Sequence, residues 1–223
     1  MTRPSRRPAS TGQVKHPLFA RFFTRTAARN EQRGQAGLRR ELLVGLSGVV
    51  VEVGAGSGLN FGHYPPQVRA VIAVEPEPYL REKAARAARS VPVGVHVTGG
   101  TASRLPVGGA LASAVVVSGV LCSVPDVAAA LTEFRRVLRP GGELRFYEHV
   151  RARHPLRGRY QDAAALVWPR MMGGCHPNRD TMAAITGAGY RISSCRELVF
   201  PPGARFSPVA PRILGRAAAA DNR

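Results

Sequence analysis

Residues 49–58 constrain the fold more than any other stretch of the chain. They are Val-Val-Val-Glu-Val-Gly-Ala-Gly-Ser-Gly, a β-branched run followed by glycine at every second position. A dense apolar run of this length predicts a parallel strand that is buried on both faces. The glycines then allow the backbone to turn sharply and to approach a ligand where a Cβ would clash. Such a ligand would lie outside the carboxyl end of a strand, where open α/β sheets bind theirs.

The acidic residue Glu52 separates this motif from a dinucleotide fingerprint. That fingerprint is Gly-x-Gly-x-x-Gly, and its third glycine seats a helix beside a pyrophosphate. Here the pattern is Glu-x-Gly-x-Gly-x-Gly, and the carboxylate would repel a pyrophosphate but suits a cationic ligand such as an amino-acid ammonium. The motif resembles motif I of the class I S-adenosylmethionine (SAM) methyltransferases, which implies SAM as the cofactor. A glycine turn without a ligand and a nucleotide site of another kind are the alternatives.

Glu75 is the second acidic residue on which the cofactor prediction depends. It ends the predicted strand 68–74, about 20 residues beyond the glycines, where an acidic side chain holds a ribose diol. A carboxylate accepts from both hydroxyls, and each charged hydrogen bond is worth roughly 1.5–3 kcal/mol. A solvated loop charge is the alternative. The predicted cofactor-binding residues are Glu52, Gly54, Ala55, Gly56, Gly58, Asn60, Glu75, Pro76, Thr101, Ala102, Ser118 and Val120.

Four of these cofactor contacts, those of Asn60, Thr101, Ala102 and Ser118, are predicted from the position of the residue at or after the end of a strand. Asn60 follows the glycines and is expected to hydrogen-bond the carboxylate of the cofactor. In methyltransferases of this class an acidic residue or its substitute contacts the adenine after the third strand. Thr101 stands there in place of the common Asp, with its hydroxyl and the Ala102 backbone as the expected contacts. Small residues around Ser118 would let the chain pass under the cofactor.

Five apolar runs alternate with helical patterns, which indicates a doubly wound α/β sheet. The predicted fold is a Rossmann-like, mostly parallel seven-stranded sheet with an antiparallel edge hairpin. After the strand in residues 49–53, the predicted strands are 68–74, 91–98, 110–117, 143–149, 190–200 and 206–214. A predicted helix over 35–43 precedes the first strand. The predicted helices between the strands are 79–90, 126–138, 160–168 and 181–188.

Further motifs narrow the resemblance to one group of methyltransferases. Val-Leu-Arg-Pro-Gly-Gly at 137–142, before a strand, is typical of the ubiquinone/menaquinone-biosynthesis type. That motif, Tyr-Pro-Pro at 64–66, Val-Leu-Cys-Ser-Val at 120–124 and Glu-His-Val at 148–150 resemble the thiol S-methyltransferases in particular. The resemblance covers roughly residues 49–190. It implies a small-molecule acceptor, with a thiol first, and an acceptor pocket covered by residues 154–180. The apolar N-terminal anchor of the animal members has no counterpart here.

His149 is the predicted catalytic residue. Methyl transfer from a sulfonium is an in-line displacement, in which alignment can supply about 7–11 kcal/mol of the barrier. A base is needed only when the acceptor arrives protonated, as a thiol or phenol does. His149 ends the predicted fifth strand, and histidine is the side chain that most often serves as a general acid or base. A structural histidine is the alternative. The second choices for the base are His176 and His154, and Tyr160 ranks well below them.

The cysteines are not expected to carry chemistry. Cys175 precedes His176, but no other residue shows ligand spacing, so we predict no metal. Cys122 is expected to be a buried hydrophobe. Three cysteines without Cys-x-x-Cys spacing favour a reducing compartment, and the start of the chain lacks the apolar segment of a secretory signal. No apolar run is long enough to span a bilayer. We therefore expect a cytoplasmic protein.

The net charge of +18 is carried almost entirely by arginine. Such a charge can indicate a nucleic-acid or anionic-membrane partner. We favour GC-rich coding as its origin, because the arginines are scattered and lack interleaved aromatics. The basic excess in the first 48 residues keeps an RNA methyltransferase as an alternative, beside a quinone or natural-product C- or O-methyltransferase. The oligomeric state is not assigned.

The chain length fits one domain. Residues 1–15 are polar, basic and rich in proline, which predicts a disordered tail. Residues 16–216 form the predicted methyltransferase domain, and residues 217–223 a frayed tail. Within the domain, Leu18, Phe19, Phe22 and Phe23 share one helical face, which is predicted either to pack on the sheet edge or to cover the cofactor pocket.

Overall fold

The computed structural model describes residues 17–204 and 206–219. The helices are α1 (Pro17–Asn30), a π-helical turn (Glu31–Gln35), α2 (Ala36–Leu43), a 3-10 turn (Phe61–His63), α3 (Pro78–Ala88), α4 (Val127–Val137), α5 (Pro155–Ala164), α6 (Trp168–Met171) and α7 (Thr181–Gly187). The strands are β1 (Gly48–Val53), β2 (Val68–Val74), β3 (Val95–Thr98), β4 (Ala112–Ser118), β5 (Leu138–His149), β6 (Tyr190–Val199) and β7 (Pro211–Ala219). Helices α3 and α4 follow β2 and β4, as the apolar periodicity predicts, but only the 3-10 turn separates β1 from β2, and no helix lies between β3 and β4 in the described part of the chain.

The seven strands form one sheet in the order β3-β2-β1-β4-β5-β7-β6. The first five strands of the chain are parallel, with Val50 opposite Val71 of β2 and Ala114 of β4. β7 runs antiparallel to β5, and β6 runs antiparallel to β7. The predicted doubly wound sheet with an antiparallel edge pair is therefore confirmed. In this topology the carboxyl ends of β1, β2, β4 and β5 meet at one edge.

Strand bounds differ from the prediction where turn residues control them. β3 begins at Val95 and not at 91, because Pro92 and Gly94 hold a bend before it. β7 begins at Pro211, since residues 200–204 and 206–210 form turns and bends, and it extends to Ala219. Residues 217–219 thus pair with β5 and β6 where a frayed tail was expected. β5 starts at Leu138, before the predicted 143, with a register shift opposite Ala112–Ala114.

Helices cover both faces of the sheet. On one face, Val51 and Val115 pack with Leu131 and Phe134 of α4 and with Ile185 of α7. On the other face, residues of β1, β2 and β4 pack with Leu42 and Leu43 of α2, with Ala84 of α3 and with Phe61. Fully burying one such side chain contributes roughly 1.5–3 kcal/mol. The two clusters make the parallel strands apolar on both faces, as the dense valine runs predict.

Parts of the N-terminal predictions lie outside the described residues. α1 forms a helix over Pro17–Asn30, but the side chains of Leu18, Phe19, Phe22 and Phe23 and the tail 1–15 are not described. No helix within 17–204 and 206–219 is long and apolar enough to cross a membrane.

Candidate active site

The glycine turn after β1 adopts a conformation that favours glycine at three positions. Gly54, Gly56 and Gly58 have φ values of 68°, 57° and 83°. The Gly54 amide donates to the Val74 carbonyl at the end of β2 (2.8 Å), which ties the turn to the neighbouring strand. A Cβ on Gly54 would lie 2.5 Å from Val120 Cγ2. The turn therefore packs against the loop after β4 with no room for a larger residue.

Glu75 is held beside this turn by two backbone amides. Its Oε2 accepts from the Gly56 amide (2.8 Å), and its Oε1 accepts from the Glu77 amide (3.0 Å). The side chain is 5% exposed, and burial raises the pKa of this carboxyl while the two amide donors act in the opposite direction. Each carboxylate oxygen can accept more than one hydrogen bond. The two amides therefore fix the carboxylate in place and leave lone pairs for a ligand.

Glu52 lies inside the protein, in a polar network under the turn. It is 3% exposed, and it accepts from Asn60 Nδ2 (2.9 Å) and from the Tyr64 hydroxyl (2.7 Å). Asn60 Oδ1 accepts from Arg39 Nη1 (2.7 Å), and Arg39 also pairs with Glu31 (2.8 Å). The network links the N-terminal helices to the glycine turn. We therefore interpret Glu52 and Asn60 as supports of the turn, where direct cofactor contacts were expected.

Burial gives Glu52 a measurable signature in the pH dependence of stability. Desolvation, partly offset by Tyr64, Asn60 and Arg39, raises its pKa from 4.5 to about 7. Between pH 4.5 and about 7 the folded protein keeps on Glu52 a proton that the unfolded chain has released. The contribution of Glu52 to the free energy of unfolding is therefore complete below pH 4.5 and is lost as the pH rises to about 7. The free energy of unfolding of the parent, relative to Glu52→Gln, is expected to fall by about 3 kcal/mol across this window. Urea titrations at a series of pH values measure it.

Glu41→Gln is the matched control for this experiment. The hydrogen bond and ion pair with Arg196 lower the pKa of Glu41. The contribution of Glu41 to the pH dependence of stability therefore has the opposite sign to that of Glu52, and Glu41→Gln must leave the Glu52 effect in place. Parallel stability curves for the parent and Glu52→Gln between pH 4.5 and 7 would contradict the assignment of the pKa to Glu52.

The remaining predicted cofactor residues surround the same edge of the sheet. Pro76 follows Glu75, Ser118 ends β4, and Ala55 is buried with its amide donating to Val74 (3.2 Å). Thr101 lies just beyond β3 and forms an isolated bridge with Arg104. Ala102 packs partly against the core. Their contacts with the cofactor stay predictions.

Glu148 organises the loop after β4, a role that was not predicted when the Glu-His-Val motif was noted in the sequence. The side chain is 1% exposed, and its carboxylate accepts from the amides of Val120 (2.9 Å) and Cys122 (3.2 Å). It thereby fixes the loop that contacts Gly54. The signal available in the sequence was an acidic residue inside an otherwise apolar strand end, directly before His149.

Two cysteines and His149 meet at the same edge. His149 Nδ1 lies 3.3 Å from Cys122 Sγ and 3.4 Å from Cys175 Sγ, and the two sulfur atoms are 3.7 Å apart. Cys122 is fully buried, as expected of a hydrophobe, but its sulfur contacts two polar partners. Spacing along the chain did not indicate this cluster, because the tertiary structure brings residues 26 and 53 positions away to Cys175.

Hydrogen bonds from backbone and side-chain donors to backbone carbonyls hold the segment of Cys175 against the loop after β4. The amide of His176 donates to the Cys122 carbonyl (2.8 Å), and Arg179 Nη1 donates to the Val124 carbonyl (2.9 Å). Gln161 of α5 is fully buried and donates to the carbonyls of Val150 (3.0 Å) and Pro177 (2.8 Å). The segment carrying Cys175 is therefore attached to both β5 and the β4 loop.

The large apolar residues of segment 154–180, which was expected to cover the acceptor pocket, divide between interior and surface. Trp168 is half-buried, and its Nε1 has no hydrogen-bond partner among the described residues. Met172 is also half-buried, whereas Met171 is 65% exposed. The other candidate bases, His154, Tyr160 and His176, are placed on the same segment, with the Tyr160 hydroxyl donating to the Phe206 carbonyl (2.8 Å).

The turn and Glu75 fit SAM. The turn at the end of β1 has the positive φ angles that favour glycine, and the fixed carboxylate at the end of β2 has acceptor capacity for ribose hydroxyls. Residues of the turn, Glu75 and the loop held by Glu148 would hold the cofactor. His149 is the last residue of β5, which pairs with β4.

Comparisons with known proteins identify the family of this chain. A family model described as "Methyltransferase domain" matches residues 51–146. Human thiol S-methyltransferase TMT1B is 34% identical over 78% of this chain and 73% of its own length. Human thiol S-methyltransferase TMT1A is 31% identical over 89% of this chain and 85% of its own length.

Solved structures share the fold at lower identity. A SAM-dependent methyltransferase from Thermotoga maritima, described as a possible histamine N-methyltransferase, has a TM-score of 0.67 and 21% identity over 91% of this chain and 98% of that chain. Geranyl diphosphate methyltransferase in complex with SAM has a TM-score of 0.67 and 15% identity over 84% of this chain and 85% of that chain. The identity to TMT1B and TMT1A and the share of the chain that it covers show the family, and the glycine turn and the fixed Glu75 are in keeping with it. The chain belongs to the thiol S-methyltransferase family of SAM-dependent methyltransferases.

Proposed function

We propose that this protein transfers the methyl group of SAM to the sulfur of a small thiol. The observation that carries the proposal is the similarity to human TMT1B, which extends over 78% of this chain. That relative is named a thiol S-methyltransferase. SAM supplies a methyl group on a sulfonium leaving group that is already activated. The protein therefore has to align the acceptor, exclude water and accept a proton from a neutral thiol.

The residues of the carboxyl edge divide these tasks. The glycine turn and Glu75 bind the cofactor, and Glu148 positions the loop that packs on the turn. We retain His149 as the candidate general base. Since its Nδ1 faces two sulfur atoms, Nε2 is the nitrogen for the acceptor. Trp168 and Met172 are the proposed apolar contacts of the acceptor, because acceptor pockets are mostly apolar with few polar groups.

Methyl transfer to a panel of acceptors tests the function. The full chain is incubated with methyl-labelled SAM and with thiols, phenols, amines, quinols and bulk RNA. Labelled thioether is expected with thiols, while the other classes remain at the level without enzyme. His149→Gln is expected to slow transfer to alkyl thiols by at least about tenfold and to spare arenethiols, which ionise without a base.

Two outcomes would contradict the proposal. Label that enters RNA or a phenol but no thiol would assign another acceptor, and equal slowing of alkyl thiols and arenethiols by His149→Gln would remove its role as base. Glu75→Ala serves as the control without a competent cofactor site.

We further infer a cytoplasmic location. Cys122, Cys175 and Cys195 are free thiols in the structure, which supports a reducing compartment. Fractionation of the source cells followed by immunodetection tests it, and recovery with a membrane fraction would contradict it.

A further inference from the structure

We propose that Cys122, His149 and Cys175 form a binding site for a soft divalent cation of the zinc class, with Cys122 Sγ, His149 Nδ1 and Cys175 Sγ as ligands. These three atoms lie within 4.8 Å of one another. Thiolate and imidazole are the donors that zinc prefers. The proposal is independent of the identity of the methyl acceptor and goes beyond the proposed function.

The distances match the geometry of a tetrahedral ion. Bonds of about 2.3 Å to sulfur and about 2.0–2.1 Å to nitrogen place two sulfur ligands about 3.8 Å apart, and a sulfur and a nitrogen about 3.6 Å apart. The observed separations are 3.7 Å between the sulfur atoms and 3.3 and 3.4 Å between sulfur and nitrogen. An ion therefore requires shifts of only a few tenths of an ångström.

The three ligands are held by separate parts of the fold, so the site is formed before an ion binds. Glu148 fixes the amide of Cys122 (3.2 Å), and the last residue of β5 supplies His149. The His176 amide donates to the Cys122 carbonyl (2.8 Å), and this contact fixes the segment that carries Cys175. Cys122 and Cys175 are both buried, which excludes competing solvent from the sulfur ligands.

Three protein ligands leave one tetrahedral position for an external ligand, the arrangement that catalytic zinc sites share. The cluster lies at the carboxyl edge of the sheet, one strand from the glycine turn. Its ligand Cys122 belongs to the same loop as Val120, whose side chain packs against Gly54 of that turn. With the ion on Nδ1, the neutral imidazole carries its proton on Nε2. His149 is then a ligand, and its role as a base applies to the metal-free protein.

Cobalt substitution tests the site without using SAM or an acceptor. The full chain is reduced with a phosphine, stripped with a chelator and titrated with Co²⁺, and Zn²⁺ affinity is then measured by displacement. Thiolate-to-cobalt charge-transfer bands and visible d–d bands of tetrahedral intensity are expected at one ion per chain. Cys175→Ser is expected to remove the bands and to weaken Zn²⁺ binding by at least about 100-fold.

Cys195→Ser is the matched control, because Cys195 lies on β6 outside the cluster, and it should leave the spectrum unchanged. His149→Gln provides a second test if Cys175→Ser fails to fold, and far-ultraviolet circular dichroism checks the fold of each. The proposal is overturned if the parent shows no thiolate bands, or if folded Cys175→Ser and His149→Gln bind Zn²⁺ as the parent does. Because the readout is spectroscopic, its failure is separable from absent methyl transfer.

Discussion

Glu75→Ala is expected to weaken SAM binding by at least about 100-fold, measured by isothermal titration calorimetry. The carboxylate is buried and fixed by the amides of Gly56 and Glu77, so it meets a ligand without a further entropic cost for ordering the side chain. Two charged hydrogen bonds to ribose hydroxyls contribute roughly 1.5–3 kcal/mol each, and their joint loss corresponds to two or more orders of magnitude in affinity.

A double-mutant cycle separates ligand contact from support of the turn. S-adenosylhomocysteine and its 2′,3′-dideoxy analogue are titrated into the parent and into Glu75→Ala. Removal of the hydroxyls should cost affinity in the parent and little in the variant. Equal losses in both proteins would show that Glu75 only braces the turn. Glu82→Ala is the control, since Glu82 is exposed on α3 and pairs with Arg86.

Glu148→Ala is expected to lower the free energy of unfolding by about 2–5 kcal/mol. The substitution leaves the amides of Val120 and Cys122 without their acceptor, and each unsatisfied buried donor costs about 1–3 kcal/mol. Burial raises the pKa of Glu148, so relief of its desolvation offsets part of this loss. The expected fall in Tm is about 4–20 °C, measured by thermal and urea unfolding.

Loss of loop order should also reduce methyl transfer, because the same loop packs on Gly54. Glu148→Gln keeps one acceptor oxygen and should show about half of the destabilisation. Glu197→Ala, which removes an exposed ion pair with Arg153, should remain within about 1 kcal/mol of the parent. Stability of Glu148→Ala within about 0.5 kcal/mol of the parent would contradict the role of Glu148.

The central strands were predictable because their signals are local. The strand 68–74 was predicted with the bounds that β2 has, since a β-branched run between Pro66 and Glu75 specifies it. The bounds of β7 were not predictable, because pairing with β5 and β6 and the turns within 200–204 and 206–210 decide where it begins.

The candidate site shows the same division. The glycine turn and the position of Glu75 follow from the rule that parallel strands end at one edge. The orientation of Glu52 does not follow from the pattern. An acidic residue in a strand end can face a ligand or the interior, and here Asn60 and Tyr64, which lie 8 and 12 positions further along, turn it inward.

By itself, the sequence determined the doubly wound sheet and the glycine turn, because strand periodicity and glycine spacing are properties of short contiguous segments. The class of cofactor followed from the resemblance of that turn to motif I of the SAM methyltransferases. Only the tertiary structure decided that Glu148 holds the β4 loop and that Cys122 and Cys175, 53 positions apart, share His149. Contacts of that range depend on how the segment after β5 folds back over the sheet edge. Spacing along the chain carries no record of that path.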